Sequence, residues 1–220
     1  MRLRVLTWNL FHGRAVPPAG RALLGEFAAA IAGWGWDVAL LQECPRWWPP
    51  ALAAAAGAEQ RSAGTSRNQV AALRRAVAVR APDLSRSGGG GCNAILVRER
   101  GITAFGVRRL RLWPERRVMV AVRLRDGTWV ANLHAQAHSA ERAHADHARA
   151  REALERWTAG GPLVAGGDMN LRRVEWPGFA HAGSSDVDHI FVRGLEALEP
   201  GAALEHGRLS DHAPLVAVVA

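Results

Sequence analysis

Leu163-Val164-Ala165-Gly166-Gly167-Asp168-Met169-Asn170 is the stretch on which the reading of this chain turns. An apolar run of strand length meets two glycines, then presents a carboxylate and a carboxamide two residues apart. In extended backbone, residues i and i+2 project to the same side, so Asp168 and Asn170 can converge on one small object. The glycines permit the backbone to turn and to approach that object closely. Gly-Gly-Asp-x-Asn is also good turn chemistry in its own right. The rest of the chain decides between a site and a turn.

Working outward, Arg2 to Thr7 alternates arginine with apolar residues and predicts a strand. Arg21 to Trp34 places Leu23, Leu24, Phe27 and Ile31 at helical spacing, and Gly33 and Gly35 end it. Val38 to Leu41 reads as a short buried strand delivering Gln42 and Glu43. Pro49-Pro50 predict a helix start within Trp47 to Ala56, and Arg67 to Val79 suits another helix. Ser85 to Gly91, closing on a run of glycines, reads as a loop. Beyond it, Cys92 to Arg98, Val107 to Leu112, Arg117 to Leu124 and Thr128 to Leu133 read as strands, with Asp126-Gly127 a hairpin turn. Ser139 to Thr158 is a long helix, and Pro162 to Ala165, Val187 to Val192 and Pro214 to Val219 are further strands. Strands mixed with helices, with hairpins in the middle, predict an α/β chain with substantial antiparallel pairing. The length of 220 residues suits one domain, 1–220, with a sizeable core.

Composition narrows the partners. A hydrophobic content of 49% excludes general disorder. No apolar run approaches the roughly 18–20 residues of a membrane span, and Met1 to Leu6 lacks the features of a signal peptide. The expectation is a cytoplasmic, soluble monomer with no membrane insertion. A net charge of +8 points to a polyanionic partner. All 28 basic residues are arginine, the side chain that grips phosphate bidentately. Abundant Ala and Gly and the absence of Tyr give this bias a genome-wide look, so charge alone leaves nucleic acid and smaller phosphate esters both open. Cys44 and Cys92 have no CxxC partner and read as reduced, buried fillers that could meet beside Glu43 and Asn93.

Polar groups recur at the strand ends, where α/β sites are built. Asn9 follows the first strand and Glu43 the second; Asn93 opens the strand after the glycine-rich loop; His134 ends another. Asp168 and Asn170 end the next, Asp186, Asp188 and His189 surround Val187, and Ser210-Asp211-His212 precedes the last strand. Each alone is an ordinary turn or surface residue. Gathered along one sheet layer they form a cluster of carboxylates, carboxamides and imidazoles. Unpaired buried carboxylates are costly, so the cluster implies a cation, and oxygen-rich ligands favour Mg²⁺ or Mn²⁺ over zinc.

The ordered series Thr7-Trp8-Asn9, Leu41-Gln42-Glu43, Asn93 to Leu96, Asn132-Leu133-His134, Gly166 to Asn170, Asp186 to Phe191 and Leu209 to Pro214 resembles the endonuclease/exonuclease/phosphatase superfamily. It spans nearly the whole chain. The resemblance implies a four-layer αββα sandwich, two mixed β-sheets face to face with helices outside. It also implies metal-dependent hydrolysis of a phosphate ester, most directly by a nuclease, with small or lipid phosphate esters as the alternative and a non-cutting nucleic-acid-binding protein as a second. Residue by residue, it implies Glu43, Asn9 and Asp211 as metal contacts and Asp168 as the group that orients or deprotonates water. Asn170 holds a phosphoryl oxygen; His212, paired with Asp188, stabilises phosphate charge or acts as a base; His134 serves the phosphate or the leaving oxygen. In-line displacement at phosphorus needs these functions.

The family's Tyr or Glu–His pair beside the phosphate has no counterpart between Gly64 and Gly91. Arg67, Asn68, Arg116 and Arg117 are the candidates for that role, and Asn93, Asn170, Arg117 and Arg67 for phosphate binding. His144-Ala145-Asp146-His147 resembles half of the HxHxDH pattern of binuclear zinc hydrolases, but Arg142 breaks it, and interleaved Arg and Glu predict a solvated helix face. Trp47-Trp48 reads as core, an aromatic platform being the alternative. Arg108, Arg109 and Arg111 predict an exposed basic strand or the lining of a phosphate path.

Overall fold

A computed structural model of the chain describes residues 2–65, 70–80, 83 and 91–220. Among these residues, two six-stranded sheets lie face to face. The first is built from β1 (Leu3–Asn9), β2 (Val38–Cys44), β3 (Glu59–Gly64), β4 (Cys92–Val97), β11 (Ala197–Ala203) and β12 (Leu215–Val219), in the order β11-β12-β1-β2-β4-β3. The second comprises β5 (Ile102–Arg111), β6 (Arg117–Leu124), β7 (Trp129–His134), β8 (Leu163–Asp168), β9 (Ala180–Ser185) and β10 (Asp188–Arg193), in the order β5-β6-β7-β8-β10-β9. Each sheet holds one parallel pair, β1–β2 and β7–β8, among antiparallel neighbours.

Alternation along the strands makes the layers. Leu3, Val5, Val38, Leu40 and Ile95 of the first sheet meet Val120, Val122, Val130, Val164 and Ile190 of the second in a dry central core. Leu6, Trp8, Ala39 and Leu41 point the other way and pack under Phe27 and Ile31 of α1 (Leu24–Gly33) and Leu52 of α2 (Pro49–Ala56). On the far side, Met119, Ala121, Leu133 and Ala165 receive α4 (Ala140–Thr158) through Ala143, Ala150, Ala153 and Leu154. Full burial of each large aliphatic side chain contributes about 1.5–3 kcal/mol. Local signals set the helix ends: Pro49 and Pro50 open α2, the Ser139 hydroxyl accepts from Arg142 N–H to cap α4, and Ala159 ends α4 in left-handed conformation. Between β3 and β4 lies α3 (Ala71–Arg80). No helix among the described residues is long and apolar enough to cross a membrane.

Strand β8 corrects the reading of its glycines. The strand runs extended through Gly166 and Gly167 to Asp168, between β7 and β10. A Cβ on Gly167, whose φ is +134°, would stand 1.9 Å from the Leu133 carbonyl oxygen. The close approach is therefore to the backbone of β7, not to a ligand. It fixes the register that aligns His134 and Asp188 with Asp168, on either side of it. Other strands also run further than expected, so Asn9 and Glu43 lie within the ends of β1 and β2 rather than after them, while His134 ends β7 as expected. Strands β3, β9 and β11 lie where none was expected. Cys44 and Cys92 are buried free thiols paired across β2 and β4.

Candidate active site

The ends of both sheets border one open cleft of about 370 Å³, lined by Asn9, Glu43, Arg117, His134, Asp168, Asn170, Asp211 and His212, with Phe11, His12, Arg14, Glu115, Ala137 and His138. At its centre the Asp168 carboxylate is held from several directions. Asn9 Nδ2 donates to Oδ2 at 2.9 Å, the Asn170 N–H donates to Oδ1 at 2.9 Å, and His134 Nε2 lies 3.4 Å from Oδ2. The direct partner of Asn9 is thus Asp168. Asn170 is steered by its Nδ2, which donates to the Ala135 carbonyl at 2.9 Å.

His212 faces this group from the segment before β12. Its Nδ1 lies 2.6 Å from Asp188 Oδ2, and its Nε2 stands 4.0 Å from both Asp168 Oδ2 and Asp211 Oδ1. The segment is pinned by Trp8 Nε1 donating to the His212 carbonyl and by the Ser210 hydroxyl donating to the Asn9 carbonyl.

The charges follow from this packing. Burial, reinforced by the neighbouring Asp188 carboxylate, pushes Asp168 up to about 7 against the pull of His212 and Asn9. Burial works against protonation of His212, but Asp188 outweighs it and raises the imidazole to about 9. His212 is therefore a cation at neutral pH. Burial and the nearby Arg117 hold His134 well below the ordinary histidine value, so it is neutral. Glu43 is pulled down to about 2, because hydrogen bonding and charge from His12, helped by Arg117, overcome its burial.

Backbone strain gathers at the same place. Phe11, His12, Glu43, Asn170 and Ser210 all have φ between 47° and 65°. Such conformations cost of order 1–3 kcal/mol each for a residue other than glycine and cluster where function demands them.

The structure brings together Asn9, Glu43, Arg117, His134, Asp168, Asn170, Asp211 and His212 in one lining, with Asp188 behind His212. Asn93 is placed elsewhere. It is fully buried and outside the cleft lining, its Nδ2 donating to the Val118 carbonyl of the opposite sheet, which makes it a tie between sheets rather than a phosphate contact. Arg67 and Asn68 lie outside the described residues, and Arg116 is exposed and outside the cleft lining. His12, Arg14, Glu115 and His138 belong to the lining and carried no motif. Glu115 Oε2 accepts from Arg117 at 2.8 Å, so a glutamate of the β5–β6 turn joins the lining beside Arg117.

Two other expectations change. Asp146 and His147 are buried rather than solvated, while His144 is exposed. Asp146 accepts from Arg111, Arg149 and the Gln136 N–H, and His147 Nε2 lies 3.1 Å from the Met169 carbonyl. Arg111 is thereby committed to α4 and does not line a phosphate path. Trp48 is core as expected, with Trp47 packed partly buried against the same cluster.

The sequence model of the endonuclease/exonuclease/phosphatase family matches residues 6–212. The chain belongs to that family. Endonuclease/exonuclease/phosphatase enzymes are phosphoric ester hydrolases, generally dependent on a divalent metal ion, and this chain is one of those hydrolases. No curated protein matches it in sequence. Solved structures share the fold at low identity. An endonuclease/exonuclease/phosphatase from Beutenbergia cavernae is 20% identical with a TM-score of 0.74, over 99% of this chain and 71% of that one. The mannosyl-6-phosphatase of Bacteroides thetaiotaomicron is 16% identical with a TM-score of 0.74, over 99% of both chains. TDP2 from Caenorhabditis elegans is 14% identical with a TM-score of 0.69, over all of this chain and 74% of that one.

Proposed function

We propose that this chain is a Mg²⁺- or Mn²⁺-dependent phosphodiesterase that cleaves nucleic acid by in-line attack of water at phosphorus. The observation that carries the reading is the row His134–Asp168–Asp188 at adjoining strand ends, faced by a protonated His212. The donor chemistry fits a hard divalent ion. The cleft gathers the Glu43 and Asp211 carboxylates and the Asn9 carboxamide. Among the described residues no group of three or more His, Cys, Asp or Glu side chains is preformed to hold a metal ion, and a hard ion held here through one or two carboxylates would keep several waters. Glu43 would hold it, with Asn9 and Asp211 close by. Such an ion supplies positive charge to the phosphoryl oxygens and acidifies water.

The protein's own groups account for the rest. Asp168, oriented by Asn9 and poised near neutrality, takes a proton from the attacking water. His212 turns Nε2–H toward a phosphoryl oxygen while Asp188 anchors the opposite nitrogen. The second amide hydrogen of Asn170 serves another oxygen, and Arg117, held by Glu115, places its guanidinium on the same wall. Neutral His134 stands ready at the leaving oxygen.

The net charge of +8 and the arginines in an open cleft favour a polyanion. A second reading, hydrolysis of a small phosphate ester, draws support from the match to the mannosyl-6-phosphatase along nearly its full length and from a cleft large enough for a phosphorylated sugar. The test is hydrolysis of bis(p-nitrophenyl) phosphate by wild type and Asp168→Asn, with Mn²⁺ or with EDTA. Metal-dependent turnover that Asp168→Asn abolishes is expected; equal, EDTA-resistant rates in both proteins would sink the reading. Preference for single-stranded or duplex DNA or RNA over sugar phosphates then decides the substrate class.

A further inference from the structure

We propose that His12 is a ligand of the active-site cation, placing an imidazole nitrogen beside the Glu43 carboxylate and giving the site a preference for Mn²⁺ over Mg²⁺. The proposal rests on the metal-dependent reading above. Neither the motif order nor the family resemblance singled out this residue.

The local chain is built to aim His12. After β1 the backbone enters a 3-10 turn, Phe11–Gly13, in which all three residues have positive φ: 48°, 55° and 77°. Gly13 presses on the Trp48 indole so closely that a Cβ there would lie 2.3 Å from the ring. The Arg14 guanidinium stacks 3.8 Å over the Phe11 ring, and Leu10 N–H donates to the Gln42 carbonyl at 2.9 Å. On the other side, the ring packs against Gly91, where a notional Cβ would stand at an ordinary contact distance of 3.6 Å. Glu43 meets His12 from β2 with its own backbone at φ 47°. A reverse turn after a strand needs no such run of left-handed residues. What the strain achieves is a fixed His12 ring, open to the cleft, with Nε2 3.0 Å from Glu43 Oε2.

That separation matches the spacing of neighbouring ligands around a six-coordinate ion. Bonds of about 2.1 Å at right angles put their donor atoms about 3.0 Å apart. The two side chains are 14% and 22% exposed, so the edge they form remains reachable from the cleft. The donor chemistry then sets the preference. Carboxylate, carbonyl and water oxygens suit both Mg²⁺ and Mn²⁺, whereas imidazole suits first-row transition ions, so exchanging one oxygen for a nitrogen penalises Mg²⁺ more than Mn²⁺. If His12 instead only steadied Glu43 by a hydrogen bond, the ion would see an all-oxygen sphere from this wall of the cleft.

The experiment is Mn²⁺ binding by the metal-stripped full chain, followed by electron paramagnetic resonance, with spin-echo modulation reporting directly bound ¹⁴N. Wild type, His12→Asn, His12→Gln and Glu43→Gln are compared. Asn tolerates a positive φ, and thermal melts of the metal-free proteins identify which variants are folded. Wild type is expected to bind Mn²⁺ with clear ¹⁴N modulation. The folded His12 variants should lose that modulation, bind Mn²⁺ about tenfold more weakly or worse, and let Mg²⁺ displace it more readily. Unchanged affinity and modulation in a folded His12 variant would overturn the proposal while leaving the metal-dependent reading intact. Wild-type protein that takes up no Mn²⁺, or Glu43→Gln that binds as wild type does, would overturn both.

Discussion

Asp146 and His147 on α4 are as deeply buried as Asp168 and Asp188 at the cleft, and burial raises all three aspartates above the ordinary carboxylate range. The two clusters nonetheless stand in opposite electrostatic settings. Asp146 is balanced by two guanidinium groups, Arg111 at 2.9 Å and Arg149 at 3.4 Å, and its other oxygen accepts from the Gln136 backbone at 3.1 Å. Among the described residues no arginine pairs with Asp168; its neighbours are a second carboxylate, two imidazoles and a carboxamide. One cluster is finished by the protein. The other leaves two carboxylates sharing one imidazole at the edge of a cleft, the kind of perturbed group that marks a functional-site candidate. A perturbed carboxylate beside a histidine is therefore not enough to mark a site; the charge balance around it and access from solvent make the distinction.

Conservative substitution should pull the two clusters apart. Asp168→Asn keeps the volume and removes the charge, so the rate should fall about 10²–10⁴-fold, the range for loss of a general base. Its urea midpoint should hold or rise, because the charge it deletes is buried without a full partner. Asp146→Ala should do the reverse. It strands Arg111 and the Gln136 N–H, and stability should drop by roughly 3 kcal/mol, the low end for a broken buried ion pair since Arg111 keeps some solvent. Its turnover should stay within a few-fold of wild type. A strongly inactive but stable Asp146→Ala would show that the α4 cluster acts on the chemistry and would break the distinction.

Asp188→Asn gives a smaller and more specific effect. With the carboxylate gone, His212 loses the partner that raises it to about 9. The rate should fall on the order of tenfold at neutral pH, within what one charge-assisted contact in the transition state contributes. The alkaline limb of the pH–rate profile should move toward lower pH, because His212 then gives up its proton earlier. An unchanged alkaline limb would mean that the protonated His212 is not what the limb reports.

The cleft was far more legible in the sequence than the sheet edges. Asn9, Glu43, His134 and Asp168 lie at the ends of largely buried apolar strands and His212 shortly before one, and such strands announce themselves as continuous runs. Strands β3, β9 and β11 escaped because each lies at the edge of its sheet. An edge strand is half exposed, so Glu59–Gly64 and Ala180–Ser185 carry polar and small residues where a central strand has Val or Leu. Pro200 and Gly201 sit inside β11, which only an edge accommodates. His12 and Glu115 escaped for a different reason. They reach the cleft through the shape of a strained turn and a hairpin, and neither shape has a periodicity to read. The buried face of α4 was hidden by charge: Arg and Glu flank Asp146 and His147 in sequence, but the helical period turns them outward.

The smallest effect tests the comparison through pH and stability in the metal-free protein. Burial lowers His147 from 6.5 to about 4, so the unfolded chain binds a proton over that interval and the folded chain does not. Stability from this group is complete above pH 6.5 and is lost as pH falls toward 4. The cleft works in the other direction. Asp168, raised from 3.8 to about 7, keeps its proton longer when folded, so stability declines as pH rises across that interval. His212 adds stability that is complete below 6.5 and is lost as pH rises through about 9. In melting temperatures measured from pH 4 to 9, His147→Gln should flatten the acid-side loss relative to wild type, and Asp168→Asn should flatten the decline through the acid-to-neutral range. A divalent ion should act as Asp168→Asn does, by supplying the missing positive charge, and should leave the His147 slope alone, because α4 has no charge deficit for it to meet. If the ion flattened both slopes equally, the two clusters would be one coupled system rather than a site and a brace.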